Sequence, residues 1–472
     1  MNKNRVRFAP SPTGIMHIGN VRTALLNYLF ALKTQGTFIL RIEDTDTQRN
    51  VDPRAQQIME HLNWLGITYQ EGPIVGGPHA PYYQSERHDI YVKNLEILQA
   101  SKSVYRCFCT QEDLELKRNR QIALKNPPRY DRTCLKLSDS TIQSKLEAKT
   151  PFVWRMKIDE TKSVQFKDLG CGVLTFDLKN FSDFALTRAD GTFTFMFANC
   201  IDDIEMQVTH ILRGLDHQTN SVGQIAIMHA MNHPIPTFWH LPILFNVNGK
   251  KLSKRDQGFS LEDLKQEGFL PQAITNYLGI IGASFEQEVV SMEELAAAYN
   301  FDTINTSNQI KYDIEKLRWM NHKWIMRTNI ADLVQLCKPF LAKKHDISNV
   351  SDEQLTILIQ SVQTDIVTLQ DICTLLDFYF ARPTISDEQM NAAILDLNTQ
   401  AKLHTIFDEL RNSITFDAFF NAAKQEAQSE QIPMKDFFSF VRLKITGNPK
   451  GLGIAELEKC LGFEEIKQRL CR

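Results

Sequence analysis

No stretch of the 472-residue chain approaches the ~18 consecutive apolar residues that a membrane-spanning helix needs, so a membrane-embedded protein is not expected. Strand-like sequence begins at Arg5 and leaves no room for an apolar leader, which points to a cytoplasmic protein. Internal repeats and low-complexity tracts are missing from the C-terminal third. The nine cysteines are an odd count in a long chain and do not suggest a disulfide framework. Charge of one sign is also lacking: 53 Lys plus Arg stand against 56 Asp plus Glu, a net charge of -3. Any nucleic acid must then be met by local patches.

What is present is the composition of a globular protein, 43% hydrophobic and 23% charged, at a length that implies several cores. Arg5 to Ala9 alternates as a strand. Beyond the turn Pro10 to Asn20, apolar residues at Val21, Ala24, Leu25, Tyr28, Leu29 and Leu32 follow helical spacing, and Thr37 to Asp44 reads as a second strand. Strand, turn, helix, strand is a βαβ unit of a parallel sheet. Its turn carries Gly14 and Gly19 just ahead of the helix, where unpaired N–H groups favour phosphate, and His17 and Asn20 add donors. Singly, His17 reads equally as a turn residue and Asn20 as a helix cap.

A second phosphate-seeking element lies far along the chain. Leu241 to Arg255 reads as a strand, an Asn248-Gly249 turn and a run with four positive charges between Lys250 and Arg255. Lysines on such a loop can neutralise charge as pyrophosphate leaves.

His17-Ile-Gly-Asn20 together with Lys251-Leu-Ser-Lys-Arg255 resembles the paired signature of class I aminoacyl-tRNA synthetases. Arg7 to Gly14 and Arg41 to Asp46 narrow the resemblance to the glutamyl and glutaminyl branch, and it extends through Leu317 to Asn321 into a helical C-terminus like that of the bacterial-type glutamyl enzyme. The resemblance implies an α/β multidomain fold: a parallel Rossmann-like catalytic domain (1–85 and 200–258), an inserted α+β acceptor-binding domain (86–199), a helical stem-contact domain (259–322) and a helical anticodon-binding region (323–472). The implied activity is ATP-dependent, Mg²⁺-assisted ligation of L-glutamate to tRNA(Glu) by a monomer, with charging of tRNA(Gln) as the alternative. A glutaminyl-type enzyme, which would end in β-barrels, and a tRNA-base glutamylating relative, which lacks the C-terminal module, fit less well.

By the same resemblance His17, Lys251 and Lys254 are catalytic, and Gly14, Gly19, Asn20, Asp216, Ser253 and Arg255 join them around ATP. Arg7, Ala9, Ser11, Glu43, Phe195, Asn199 and Arg213 surround glutamate: the arginines hold carboxylates and Glu43 the ammonium. Three positions depart from the family pattern. Phe195 replaces a substrate-holding tyrosine, Leu215 an acid, and Asn20 the second histidine of the class signature.

In the middle of the chain Cys107, Cys109, Tyr130 and Cys134 form a candidate structural Zn²⁺ site, with Lys136 where some relatives carry a histidine. Between them Lys117, Arg118, Arg120, Lys125, Arg129 and Arg132 read either as a charged helix face or as a patch for the tRNA acceptor arm. Phe152 to Asp177 alternates like antiparallel strands, Ile201 to Gly214 reads as a return to the parallel sheet, and from about Leu261 the signal is helical.

Overall fold

The computed structural model describes residues 3–12, 14, 16–45, 52, 54–253, 256–301 and 309–471; Asp46, Lys254 and Arg255, singled out above, lie outside them. Two compact units emerge, one made of Met1–Asp263 and Ile274–Ile314, the other of Leu264–Ala273 and Glu315–Arg472.

The first unit opens with the expected βαβ arrangement. Strand β1 (Arg5–Phe8) runs into helix α1 (Ile18–Thr34), and β2 (Thr37–Leu40) returns parallel to β1 with Arg5 opposite Thr37. The second strand stops at Leu40 rather than Asp44, because the chain there turns away to bridge Tyr83 at Ile42 and to bury Arg41 and Glu43. Helices α2 (Gln56–Trp64) and α3 (His88–Ala100) follow, then β3 (Val104–Cys107), α4 (Gln111–Ala123), α5 (Asp139–Glu147) and β4 (Val153–Met156), which pairs antiparallel with β3. Next come the antiparallel hairpin β5 (Ser163–Asp168) and β6 (Gly172–Asp177), helix α6 (Phe195–Glu205), β7 (His210–Gly214), α7 (Gln218–Ala230), β8 (Thr237–Leu241) and β9 (Ile243–Phe245).

Strands β7 and β8 are parallel, and Asp168 of β5 joins β8 at Phe238, giving the order β6-β5-β8-β7. Thr209, just ahead of β7, donates its N–H to Arg5 O at 3.0 Å, which sets β7 beside β1. The carboxyl ends of β1, β2, β7 and β8 therefore open on one side, where parallel sheets place their ligands. The hairpin β5-β6 shares one apolar core with β7, β8, α3 and α6, whereas Cys107, Phe108 and Cys134 anchor a small core of their own.

Two readings need correction. Ile201 to Glu205 is not strand but the last part of α6, whose buried face carries Asn199, Asp202 and Asp203. The region after Leu261 is not wholly helical, since β10 (Gln309–Lys311) pairs parallel with β9.

The second unit is helical. Asn321 braces it, accepting the Leu270 N–H at 2.7 Å and donating to Val367 O at 2.6 Å. Ser351 caps its helix by accepting the Gln354 N–H at 3.2 Å, but the Gln354 side chain donates to Cys460 O instead of closing a capping box. Phe407, Phe419, Phe437 and Phe440 fill its centre. No helix among the described residues is long and apolar enough to cross a membrane.

Candidate active site

A cavity of about 630 Å³ opens at the carboxyl ends of the parallel strands. Arg7, Ala9, Ser11, Glu43, Phe195, Asn199 and Arg213 line it, and so do Gly14, His17, Gly19, Asn20, Asp216 and Lys251. Residues proposed for two different ligands thus share one chamber. Ser253 is not among its walls; its hydroxyl donates to Asp256 Oδ2 at 2.9 Å.

His17 is itself the N-cap of α1, a role the sequence reading gave to Asn20. Its Nδ1 accepts the N–H groups of Gly19 at 3.1 Å and Asn20 at 3.3 Å, while Asn20 Oδ1 accepts the His17 N–H at 3.4 Å. With Nδ1 committed as acceptor, a neutral ring carries its proton on Nε2. The ring stacks on Phe259 with centroids 4.9 Å apart. A Cβ on Gly19 would come within 3.0 Å of His17 Cε1, so glycine is what permits this approach.

The lysine loop is anchored from both ends. Asn246 Oδ1 accepts the N–H groups of Asn248 and Lys250, each at 3.0 Å, and Asn246 Nδ2 donates to Asp256 Oδ1 at 2.8 Å. Asp256 Oδ2 accepts the Ser253 N–H at 2.8 Å, and Gly249 makes the turn at φ 72°. Asp256 was not singled out in the sequence, although its place one residue past the basic run makes it a natural clasp.

The two predicted carboxylate-binding arginines differ sharply. Arg7 is already an ion-pair partner: Nε and Nη2 donate to the two oxygens of Asp203 at 3.0 and 3.2 Å. Arg41 Nη1 shares Asp203 Oδ1 at 2.7 Å, and together the two guanidinium groups outweigh burial and hold the Asp203 carboxyl below its ordinary range. Arg213 has no acid. It is 6% exposed, and only Nη2 is engaged, by the neutral oxygens of Ser221 and Gln224, each at 2.6 Å. Its Nε is buried without a partner. Burial first, and then the charge of Arg7, push its pKa down to about 9.

Glu43 is held by Asn199 Nδ2 and, at 3.3 Å, by Arg41 Nη2, both on Oε1. Burial raises its pKa, with Arg41 and Asn199 opposing. Phe195, the first residue of α6, packs its ring 5.8 Å from that of His217, so the wall where the resemblance places a tyrosine hydroxyl is apolar. Arg22 also lines the cavity and was not anticipated; its Nη2 donates weakly to Ile281 O at 3.4 Å and its Nε is unpaired. Also missed were Arg41, Asp203, Ser221 and Gln224. Adjacent aspartates inside an otherwise apolar stretch were the signal available, because buried charges must be balanced.

Away from the cavity, the sulfur atoms of Cys107, Cys109 and Cys134 lie within 4.8 Å of one another. Tyr130 Oη lies 3.3 Å from Cys107 Sγ and 3.6 Å from Cys109 Sγ. In the basic segment, Lys117 pairs with Asp131 at 2.9 Å, Arg132 pairs with Asp183 at 2.7 Å, and Arg129 donates to Lys179 O. Arg118, Arg120 and Lys125 remain exposed, and α4 has no buried residue at all.

Residues 3–319 match the family of class I tRNA synthetases (E and Q), catalytic domain, and residues 332–472 match an anticodon binding domain. The chain belongs to the class I tRNA synthetases of this Glu and Gln family. Among its relatives are the glutamate–tRNA ligases of Sulfurihydrogenibium sp., 38% identical over 99% of this chain and 98% of that one, and of Bacillus subtilis, 34% identical over 99% of each. A crystal structure of a glutamate tRNA ligase from Elizabethkingia meningosepticum in complex with its amino acid superposes with a TM-score of 0.90 at 32% identity, covering 99% of this chain and 98% of that one.

Proposed function

We infer that the chain is a glutamate–tRNA ligase, joining L-glutamate to tRNA(Glu) at the expense of ATP. The observation that carries the amino-acid assignment is Arg213: a buried guanidinium hydrogen-bonded only to neutral oxygens, with Asp203 and Glu43 near but not in contact and Nε unpaired, has a place that a substrate carboxylate completes. Glutamine offers that position a neutral amide, leaving the charge unpaired. Glu43 supplies the complementary anion for the ammonium group.

In the first step a carboxylate oxygen of glutamate attacks the α-phosphorus of ATP, and the bond to pyrophosphate breaks. His17, Lys251 and Lys254 stabilise the growing negative charge; His17 donates through Nε2 because its Nδ1 is held by the helix it caps. In the second step a ribose hydroxyl at the tRNA terminus attacks the carbonyl of glutamyl-adenylate and AMP leaves. Mg²⁺ enters with the phosphates of ATP. Gly14, Gly19, Asn20, Asp216, Ser253 and Arg255 complete the nucleotide side, and Ala9, Ser11, Phe195 and Asn199 the amino-acid side.

Cys107, Cys109, Cys134 and Tyr130 would hold a zinc ion. The 3.6 Å between Cys109 and Cys134 sulfurs is close to the ~3.8 Å that two thiolates at ~2.3 Å from a tetrahedral zinc would span. The ion would tie β3 to the segment ahead of α5, and metal analysis of the purified chain is expected to give one zinc per molecule. The exposed Arg118, Arg120 and Lys125 suit the acceptor arm, and the second unit the anticodon. Charging of purified tRNA(Glu) and tRNA(Gln), each with glutamate and with glutamine, tests the assignment. Glutamate must be attached to tRNA(Glu), and glutamine must not be. Attachment of glutamine in place of glutamate would overturn the reading of Arg213, and glutamate on both tRNAs would identify the broader tRNA range.

A further inference from the structure

Arg213 is aimed by groups that lie behind it. Ser221, on the first turns of α7 and wholly buried, accepts from Arg213 Nη2 at 2.6 Å and sits 2.7 Å from His240 Nε2. His240, on β8, places Nδ1 2.7 Å from Asp168 Oδ2 at the end of β5. Asp168 can only accept here: Oδ1 takes the N–H groups of Gly170 at 2.8 Å and Cys171 at 2.9 Å, and Oδ2 also takes the His240 N–H at 3.1 Å.

This fixes the direction of every bond in the chain. Nδ1 of His240 donates to Asp168, so Nε2 of the neutral ring accepts, and the hydrogen it accepts is that of the Ser221 hydroxyl. Ser221 is then left with only lone pairs facing Arg213. The second acceptor on Nη2 is oriented in the same way, because Gln224 Nε2 donates to Asn199 Oδ1 at 2.6 Å and so turns its Oε1 toward the guanidinium. Both hydrogens of Nη2 are taken from the protein side, and Nε and Nη1 are left to the substrate.

We propose that Ser221, oriented by the buried His240-Asp168 pair, is a positioning residue that fixes the guanidinium of Arg213 and thereby makes the site select a carboxylate over a carboxamide. This rests on the glutamate site described above. Without the His240 acceptor, the Ser221 hydrogen is left with the long contact to His217 O at 3.4 Å, and the lone pairs that anchor the guanidinium are no longer fixed in direction.

The experiment is glutamate-dependent exchange of pyrophosphate into ATP with tRNA present, measured on the native chain and on Ser221→Ala, His240→Asn and His240→Gln. Asparagine keeps a donor for Asp168 but has nothing that reaches Ser221, whereas the glutamine amide oxygen can still accept from the hydroxyl. Ser221→Ala and His240→Asn are expected to raise KM for glutamate about 10-fold, the scale of one hydrogen bond to a charged group, and to narrow the preference for glutamate over glutamine in kcat/KM by a similar factor. KM for ATP stays within about twofold of native, and His240→Gln retains most of the preference. An unchanged KM for glutamate, a parallel rise in both KM values, or identical behaviour of His240→Asn and His240→Gln overturns the proposal. A native chain with no glutamate-dependent exchange overturns the underlying site instead, so the two failures are distinct.

Discussion

At the scale of single residues, two arginines that look equivalent in the sequence have opposite energetics. Arg7 neutralises Asp203, and its loss leaves that carboxylate with Arg41 alone. Arg213 has no carboxylate in hydrogen-bond contact, and its Nε is unpaired. Arg7→Met is therefore expected to destabilise the chain by about 3–5 kcal/mol, the range for breaking a buried ion pair. Arg213→Met removes a buried charge that no carboxylate contacts at the expense of two polar contacts, and its stability should stay within about 1 kcal/mol of native while glutamate-dependent exchange falls roughly 10²- to 10³-fold. Thermal melting alongside the exchange rate checks both variants; a large loss of stability in Arg213→Met would contradict the unpaired state of this side chain. The family resemblance assigned both arginines to substrate carboxylates, but which of them already has an acid of the chain depends on Asp203, a residue 196 positions from Arg7.

At the scale of elements, α1 is capped by the imidazole that is also proposed to contact phosphate. Local spacing made this element legible, since the glycines, His17 and the helical apolar stripe all fall within a few turns of chain. The helix starts three residues earlier than the stripe implies, because the stripe marks only the buried face and His17 supplies the cap. Asparagine is as good an N-cap as any residue, whereas alanine is poor. His17→Asn should thus keep stability within about 0.5 kcal/mol of native and His17→Ala should lose about 1 kcal/mol, while both slow exchange by roughly 10²- to 10³-fold. If His17→Asn melted as early as His17→Ala, the cap would not be the source of the difference. The misread start of β7 has an equally local cause. Ile204, Met206 and Val208 alternate as in a strand, and only with Phe197, Ala198 and Ile201 upstream does the helical spacing of α6 show.

At the scale of the whole chain, the cavity is bounded by segments from residue 7 to residue 259, and its balance of charge could not be read from any one of them. The same packing makes the first unit sensitive to acid. Burial lowers the pKa of His210, with Lys167 adding to it; of His217, with Arg213 adding to it; and of His240, where Asp168 opposes. A histidine whose folded pKa lies below the ordinary ~6.5 binds its proton more readily in the unfolded chain. Its contribution to stability is complete above pH ~6.5 and is lost as the pH falls through the folded value. Glu43 and Asp202, whose pKa values burial raises, act in the opposite sense, so the histidine effect is best isolated by difference. His210 suits the purpose: its ring packs on Phe30 at 4.7 Å, and Thr209 Oγ1, which contacts its Nδ1, also donates to Arg5 O at 3.2 Å and stays satisfied without it. His210→Phe keeps an aromatic ring at that position and removes one titrating group. Melting temperatures between about pH 5 and pH 7 are expected to fall less steeply with acid in this variant than in the native chain, the two curves converging in slope above pH ~6.5. Parallel curves across that interval would show that His210 titrates alike in the folded and unfolded chain.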